Sequence, residues 1–435
     1  MAIVSIKRQQ VTIYDADGWI LRAPVSSGMT GRETPSGVFS VVEKDKDHHS
    51  NLYDDASMPH MERITWSGIA LHGGPLPGYA ASHGCVRMPY GFAETLFDKT
   101  RIGMRVIIAP NDAEPVKFSD PALLVPNAKA VADAPAHAET LAREAADAEK
   151  AAADAKNAAV KAAREAAALP LPLRQLEWQK AVADGKLAYA DRVLAAAKTD
   201  AAKAQAEDFQ QKAAVKAAEL AAKYDIAKVD AKSKLDAAKA ARAAAETAKA
   251  KMADTAKAAQ EAKLALEPIS IFISRATQRL YVRRGLGAYL DVPVTIRDPG
   301  KPIGTHVFTA VAWADDGGLR WTAVTIDSGD DAKDALHRVT IPPDVLDRVA
   351  STALPRSSIV ISDEPLNRET NYRTEFVVVL NNQPQGGLAM RERPEDDRIA
   401  DHNMSLGGFF GFGHWGGSDS SGLQHAGQNY YPRRW

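Results

Sequence analysis

Between Val131 and Gln260 the chain has 51 alanines in 130 residues, one glycine (Gly185) and three prolines (Pro135, Pro170 and Pro172). Alanine has the highest intrinsic helix propensity, and the interspersed lysines, glutamates and glutamines follow closely. The segment is almost free of aromatic residues, so it cannot build a conventional globular core. It is expected to form long helices packed as a hairpin or antiparallel coiled coil with Ala-dominated seams. A first helix is expected over about 136–168, ending at Leu169-Pro170-Leu171-Pro172, since proline disrupts a helix interior. The remainder runs to Leu266, with a second bend or break expected near Tyr224-Asp225. About 35 helical residues would span about 50 Å at 1.5 Å per residue. Such a rod reads as a solvated spacer, and no specific residue in it points to a partner.

The 435 residues carry 54 Lys+Arg against 55 Asp+Glu, for a formal net charge of −1. That length corresponds to two or three domains. The charge balance lacks the basic footprint of a general nucleic-acid binder, so no nucleic-acid partner is expected. A single cysteine excludes an internal disulfide and a four-cysteine zinc site. No apolar run of 18 residues occurs, and the N-terminus enters a strand-like stretch, Ile3–Lys7, without the pattern of a targeting signal. Residues 3–125 and 268–382 are both β-rich in texture, split by Gly, Pro and Asp turns. A short stretch near Gly91–Lys99 has helical spacing. Residues 386–435, rich in Gly, Ser and charge, read as a disordered tail.

The chemistry concentrates in Leu71-His72-Gly73-Gly74 and Ala81-Ser82-His83-Gly84-Cys85-Val86-Arg87-Met88. A thiol becomes a nucleophile when a nearby imidazole or cation lowers its pKa and accepts its proton. Gly84 permits a tight backbone approach, amides near the thiol can serve an oxyanion, and Arg87 can hold a carboxylate. Thiol, base, Gly-lined turn and anion clamp together describe acyl transfer on an acidic substrate. Two other roles stay open from spacing alone: zinc binding by His72, His83 and Cys85, and a buried structural thiol.

These residues strongly resemble the active-site signature of the L,D-transpeptidases of the YkuD family. So do Val25-Ser26-Ser27-Gly28 and Thr34-Pro35-Ser36-Gly37-Val38-Phe39, and the similarity extends over residues 3 to about 110. The His72–Cys85 spacing is a little shorter than in most members, which bears on the substrate-entry loop. The resemblance implies a mainly β fold, a YkuD-like β-sandwich with a short helix. It implies that Cys85 attacks the carbonyl of the diamino-acid residue of a peptidoglycan stem peptide and expels the terminal D-alanine. His72 would be the base, its tautomer fixed by a bond to Gly73, although His72 and His83 could exchange roles. Ser82 and His83 would shape the site, the Gly84 and Cys85 amides would form the oxyanion hole, and Arg87 would bind a substrate carboxylate. A second stem peptide would resolve the thioester to a 3→3 cross-link. Water as acceptor would make an L,D-carboxypeptidase, and the amine of an envelope protein would anchor that protein to the wall. A non-catalytic wall-binding spacer is the rival of another class. Carbapenem-type β-lactams are expected covalent inhibitors, and no cofactor or resident metal is implied. Because peptidoglycan lies outside the cytoplasmic membrane, the expected location is the periplasm or cell envelope, with an export signal on the natural precursor.

Residues 269–310 echo residues 3–42. Gln10–Tyr14 aligns with Gln278–Val282, Pro35–Phe39 loosely with Pro302–Phe308, and Thr65-Trp66 has a counterpart at Arg320-Trp321. Pro355–Ser362 then carries neither cysteine nor histidine, so 268–385 is expected to be a second, degenerate YkuD-like domain without nucleophile. The expected organisation is therefore a catalytic domain over 1–125, a helical arm over 126–267, the degenerate domain over 268–385 and a tail over 386–435.

Overall fold

The computed structural model describes residues 1–50, 56–285, 287–370 and 375–389. They divide into two units: one of residues 1–13, 21–110 and the segment from 366 onward, the other of residues 14–20 and 111–365.

The first unit is built on short apolar strands. β1 (Ala2–Ser5), β2 (Gln10–Tyr14), β3 (Trp19–Pro24), β4 (Gly37–Ser40) and β9 (Arg105–Ala109) form one sheet in the order β4-β9-β1-β2-β3. The β1–β9 pair is parallel, with Ile3 opposite Ile107, and β1–β2 and β4–β9 are antiparallel. β1, β4 and β9 are buried at every position, as expected of strands covered on both faces. The other sheet has the order β5 (Glu43–His49), β6 (Ser57–Arg63), β7 (Ala70–Gly73), β8 (Val86–Met88). One core takes Val4, Phe39 and Ile108 from the first sheet and Leu71, Val86 and Met88 from the second, the packing of a sandwich. Helix α1 (Tyr90–Lys99) closes it with Ala93 and Leu96.

Lys44 caps that helix. Its ammonium donates to the carbonyls of Phe97 and Thr100 at the C-terminal end, where a cation suits the helix dipole. Beside it Glu62 is fully buried and accepts a hydrogen bond from the Thr100 hydroxyl, while its Oε2 has no hydrogen-bond partner among the described residues. Burial pushes its carboxyl above the usual carboxylate range, against the opposing pull of Thr100 and Lys44.

The second unit opens with β10 (Val116–Phe118) and the arm: α2 (Ala128–Ala167), α3 (Pro170–Ala196) and α4 (Asp200–Leu264). α2 and α3 follow one another and both pack on α4. The break between them falls at the Leu169-Pro170 corner, with proline in the first turn of α3. The second break expected near Tyr224-Asp225 is absent: α4 runs unbroken for 65 residues, about 100 Å at 1.5 Å per residue. Neither residue lacks an amide or a Cβ, and ordinary propensity carries the helix through. The seam is nearly all alanine. Ala138, Ala148, Ala166, Ala183, Ala190, Ala206, Ala213, Ala217, Ala231 and Ala262 are buried along it, and Leu220 is the one larger side chain among them.

Beyond the arm lie β11 (Ile269–Ser274), β12 (Arg279–Arg284), β13 (Gly287–Pro293), β14 (Thr295–Ile296), β15 (His306–Trp313), β16 (Leu319–Thr325), α5 (Ala332–Arg338), β17 (Val339–Thr340), α6 (Pro343–Ala350) and β18 (Ser358–Ser362). The main sheet has the order β10-β16-β15-β18-β11-β12-β13, and β11–β18 is parallel. Its run β15-β18-β11-β12-β13 has the same order as β4-β9-β1-β2-β3, and the first three pairs of each run are antiparallel, parallel and antiparallel in turn. The first hairpins agree atom for atom. Ser5 Oγ accepts from the Arg8 amide (3.1 Å), and Ser274 Oγ accepts from the Thr277 amide (3.2 Å). Gln9 and Gln278 both have positive φ (49° and 53°) and donate from Nε2 at 2.8 Å to the Ile6 and Arg275 carbonyls. The correspondence is thus Gln9 with Gln278, one residue from the alignment expected from sequence, and such a shift exchanges the faces of a strand. Trp321 lies in β16 beside β15, whereas Trp66 lies in the turn before β7, so the pairing of Thr65-Trp66 with Arg320-Trp321 fails.

The boundary expected at 385 also falls elsewhere. From Leu366 the chain is part of the first unit again. β19 (Val378–Val379) pairs antiparallel with β4, Val377, Val379 and Leu388 enter its core, and Arg105 and Glu375 form a part-buried ion pair. A β-type run such as Phe376–Leu380 specifies a strand but not its partner, which here lies more than 330 residues earlier. Residues 386–389 of the expected tail form a short helical turn, α7 (Gly386–Ala389), and 390–435 lie outside the described residues.

Because the Glu62 carboxyl has a raised folded pKa, the folded state binds more protons than the unfolded one across that interval. Its contribution is therefore fully present below the unfolded carboxyl pKa and lost as pH rises through the folded value. Urea denaturation across this range should show Glu62→Gln with a flatter pH dependence than wild type and a relative gain toward neutral pH.

Candidate active site

β7 and β8 run parallel with Leu71 opposite Val86, His72 opposite Arg87 and Gly73 opposite Met88. Alternation sends Leu71, Val86 and Met88 into the core and leaves His72 and Arg87 on the other face. Cys85, two residues before Arg87, follows that face. Its thiol is 7% exposed, packs with Met58, Met61 and Ala70, and lies 3.7 Å from the Gly68 carbonyl oxygen. His72 is 6% exposed, with Nδ1 2.9 Å from the Gly73 carbonyl oxygen. A hydrogen on Nδ1 satisfies that carbonyl and leaves the Nε2 lone pair to accept a proton.

A cavity of about 230 Å³ opens over these groups, lined by His72, Ser82, His83, Cys85 and Arg87 together with His48 and Arg63 from β5 and β6. Among the described residues that line it none is a carboxylate. The site therefore offers a thiol, imidazoles and guanidinium groups to an anionic ligand. Among the described residues no group of three or more His, Cys, Asp or Glu side chains is placed to hold a metal ion.

The turn before Cys85 is pinned from both sides. The Ser82 hydroxyl donates to the Cys85 carbonyl and accepts from the Gly84 amide at 3.1 Å. Gly84 has φ +114°, and a Cβ there would stand 2.8 Å from Ile69 Cδ1, so the position requires glycine. The Gly84 amide, expected to face an oxyanion, is thus given to Ser82. The Gly84 carbonyl instead accepts from the Thr34 hydroxyl (2.8 Å), which itself accepts from the Gly28 amide (2.9 Å). In a trans peptide the C=O and N–H point in opposite directions, so pinning the Gly84 oxygen aims the Cys85 amide.

Ser26–Gly28 supplies the second brace. Ser26 and Arg87 exchange backbone bonds of 2.9 and 3.0 Å, the Met29 amide donates to Ser82 O (2.9 Å), and the Ala81 and Ser82 amides both donate to Ser27 O (3.0 Å). Gln9 reaches over from the first hairpin, accepting from the Ser27 amide (2.9 Å) and donating to Ser27 Oγ (2.7 Å). Sequence reasoning gave no role to Gln9, Glu33 or Thr34. The last lies inside the Thr34–Phe39 motif, where a buried hydroxyl beside glycines was the available signal. Glu369, whose carboxylate accepts from the Trp66 amide (2.7 Å), had no local signal at all.

Residues 1–108 match the YkuD family, described as the L,D-transpeptidase catalytic domain. No curated protein matches the chain. Among solved structures, an L,D-transpeptidase from Mycobacterium smegmatis shares 23% identity, covering 25% of this chain and 57% of that chain, with a TM-score of 0.24. One from Stackebrandtia nassauensis shares 24% identity over 25% of this chain and 55% of that chain, TM-score 0.24. An L,D-transpeptidase in complex with imipenem shares 23% identity over 25% and 57%, TM-score 0.23. The chain thus spans little more than half the length of these proteins.

Thr34→Val keeps the side-chain volume and removes the hydroxyl, leaving the Gly28 amide and the Gly84 carbonyl without their buried partner. A stability loss of about 1–3 kcal/mol is expected in urea unfolding.

Proposed function

We propose that the chain is a cysteine L,D-transpeptidase acting on peptidoglycan stem peptides. The observation that carries this is the common face of β7 and β8, where Cys85, His72 and Arg87 share one cavity and His72 Nδ1 is held by Gly73. His72 Nε2 takes the thiol proton and the thiolate attacks the carbonyl of the stem's third residue. The Cys85 amide stabilises the oxyanion, and the tetrahedral adduct collapses to a thioester as D-alanine leaves with the proton from His72. The amine of a second stem peptide then attacks, the thiol is regenerated, and a 3→3 cross-link results. Arg87 holds a substrate carboxylate at the cavity wall.

Intact-mass analysis after incubation with meropenem should show one covalent adduct, absent in Cys85→Ser; an unmodified wild-type chain sinks the acyl-transfer reading. Muropeptide products then identify the acceptor: cross-linked dimers for transpeptidation, tripeptides for an L,D-carboxypeptidase, and a conjugate for attachment of an envelope protein. His72→Gln should lower the acylation rate by about 10²–10⁴-fold, and His83→Gln by much less. The opposite order would transfer the base to His83.

The shared strand order and the matching Gln9 and Gln278 hairpins support residues 268–362 as a second copy of the fold. In this copy β16, α5, β17 and α6 occupy the interval between β15 and β18, where the first unit has β5 to β8 and α1 between β4 and β9. It holds no nucleophile and serves binding or positioning, while the arm acts as a spacer. Such a substrate places the protein in the periplasm or cell envelope, which cell fractionation of the native organism would check.

A further inference from the structure

We infer that the Gly386-Gly387 turn, from the far end of the described chain, is a positioning element for the Cys85 oxyanion site. Two hydrogen bonds tie it to Glu33 in the loop that carries Thr34, and one packing contact ties it to Gly84 in the nucleophile turn. The Gly387 amide donates to the Glu33 carbonyl (2.9 Å), and the Gly386 amide donates to the Glu33 carboxylate (3.2 Å). The other oxygen of that carboxylate accepts from the Gly31 amide (2.7 Å), so the Glu33 side chain bridges Gly31, in the loop that carries Thr34, and the Gly386 turn. On its other side Gly387 lies against Gly84 itself. A Cβ built on Gly387 would stand 2.5 Å from the Glu33 carbonyl oxygen and 2.8 Å from Gly84 Cα. Built on Gly84, it would stand 3.0 Å from Gly387 Cα.

The turn therefore fills the space behind the Gly84–Cys85 peptide and holds Thr34 against the Gly84 oxygen. Those two constraints set the plane of that peptide, and the plane sets where the Cys85 N–H points. A side chain at 387 pushes Gly84 and Glu33 apart, tilts the peptide and leaves the thiol in place. Its effect falls on reactions that develop an oxyanion and spares those that do not.

Two reagents separate these outcomes in the full-length chain. In acylation by meropenem, Cys85 sulfur bonds to the lactam carbonyl, the C–N bond breaks, and the ring nitrogen takes the thiol proton; a tetrahedral oxyanion lies on that path. Iodoacetamide alkylates the same sulfur by direct displacement of iodide, with no oxyanion. Gly387→Ala is expected to slow acylation by about 10- to 100-fold while alkylation stays within about twofold. Leu388→Ala removes core packing from the same turn and leaves the Gly387 contact; it should lower thermal stability and keep the ratio of the two rates. Where Gly387→Ala does not fold, Glu33→Gln provides the second probe, with the same direction and a smaller drop in the ratio. Equal changes in both rates, an unchanged ratio in the probe variant, or the same loss of ratio in Leu388→Ala would overturn the inference. The inference rests on the acyl-transfer reading, and the two fail differently. A wild-type chain that alkylates but never acylates defeats that reading, whereas one that acylates with an insensitive Gly387 defeats only the positioning role.

Discussion

The hydrogen bond from the Thr34 hydroxyl to the Gly84 carbonyl is the constraint on which the rest of the first unit's chemistry depends. It is buried, it shares its hydroxyl with the Gly28 amide, and it joins two loops separated by 50 residues. Glycine at 84 is required by a positive φ and by contact with Ile69. A residue this unrestrained by its own side chain needs external ties, and Ser82, Thr34 and the Gly387 turn supply them. The β7–β8 register then decides which side chains share the cavity. Slipping it by one residue would turn Cys85 and Arg87 into the core and bring Val86 out.

What the sequence makes legible is local. The alanine content of the arm predicts long helices because propensity acts residue by residue, and the Leu169-Pro170 corner is visible because proline removes a donor. The thiol, the two histidines and the glycines cluster within fifteen residues, so their chemistry can be read before their geometry. The interruption expected at Tyr224-Asp225 had no such physical cause, and α4 passes through it. The one-residue misalignment of the hairpins came from matching glutamines by neighbours, when the defining property is the positive φ of Gln9 and Gln278.

Long-range pairing was not legible. β19 and β18 have similar sequences in kind, both short runs of β-branched residues, yet one completes the first sheet and the other sits inside the second. Hydrophobic pattern fixes that a segment is a strand and which side is buried. The choice of partner comes from the free edge of β4, and nothing within ten residues of Val378 reports it. The same holds for Glu369, whose carboxylate accepts from the amide of Trp66, 303 residues earlier in the chain.

The split construction of the first unit has a consequence for biosynthesis. Residues 111–365 stand between β9 and the segment that pairs with β4 and backs Gly84. At about 5–20 residues per second, a ribosome spends about 13–50 s making that stretch. Throughout this time the emerging strands have an open edge, a risk for pairing with the wrong chain. The thiol turn meanwhile lacks its last support. Cys85 is thus made early and its surroundings finished late, and a chain released before residue 388 has a cysteine without the complete frame around it.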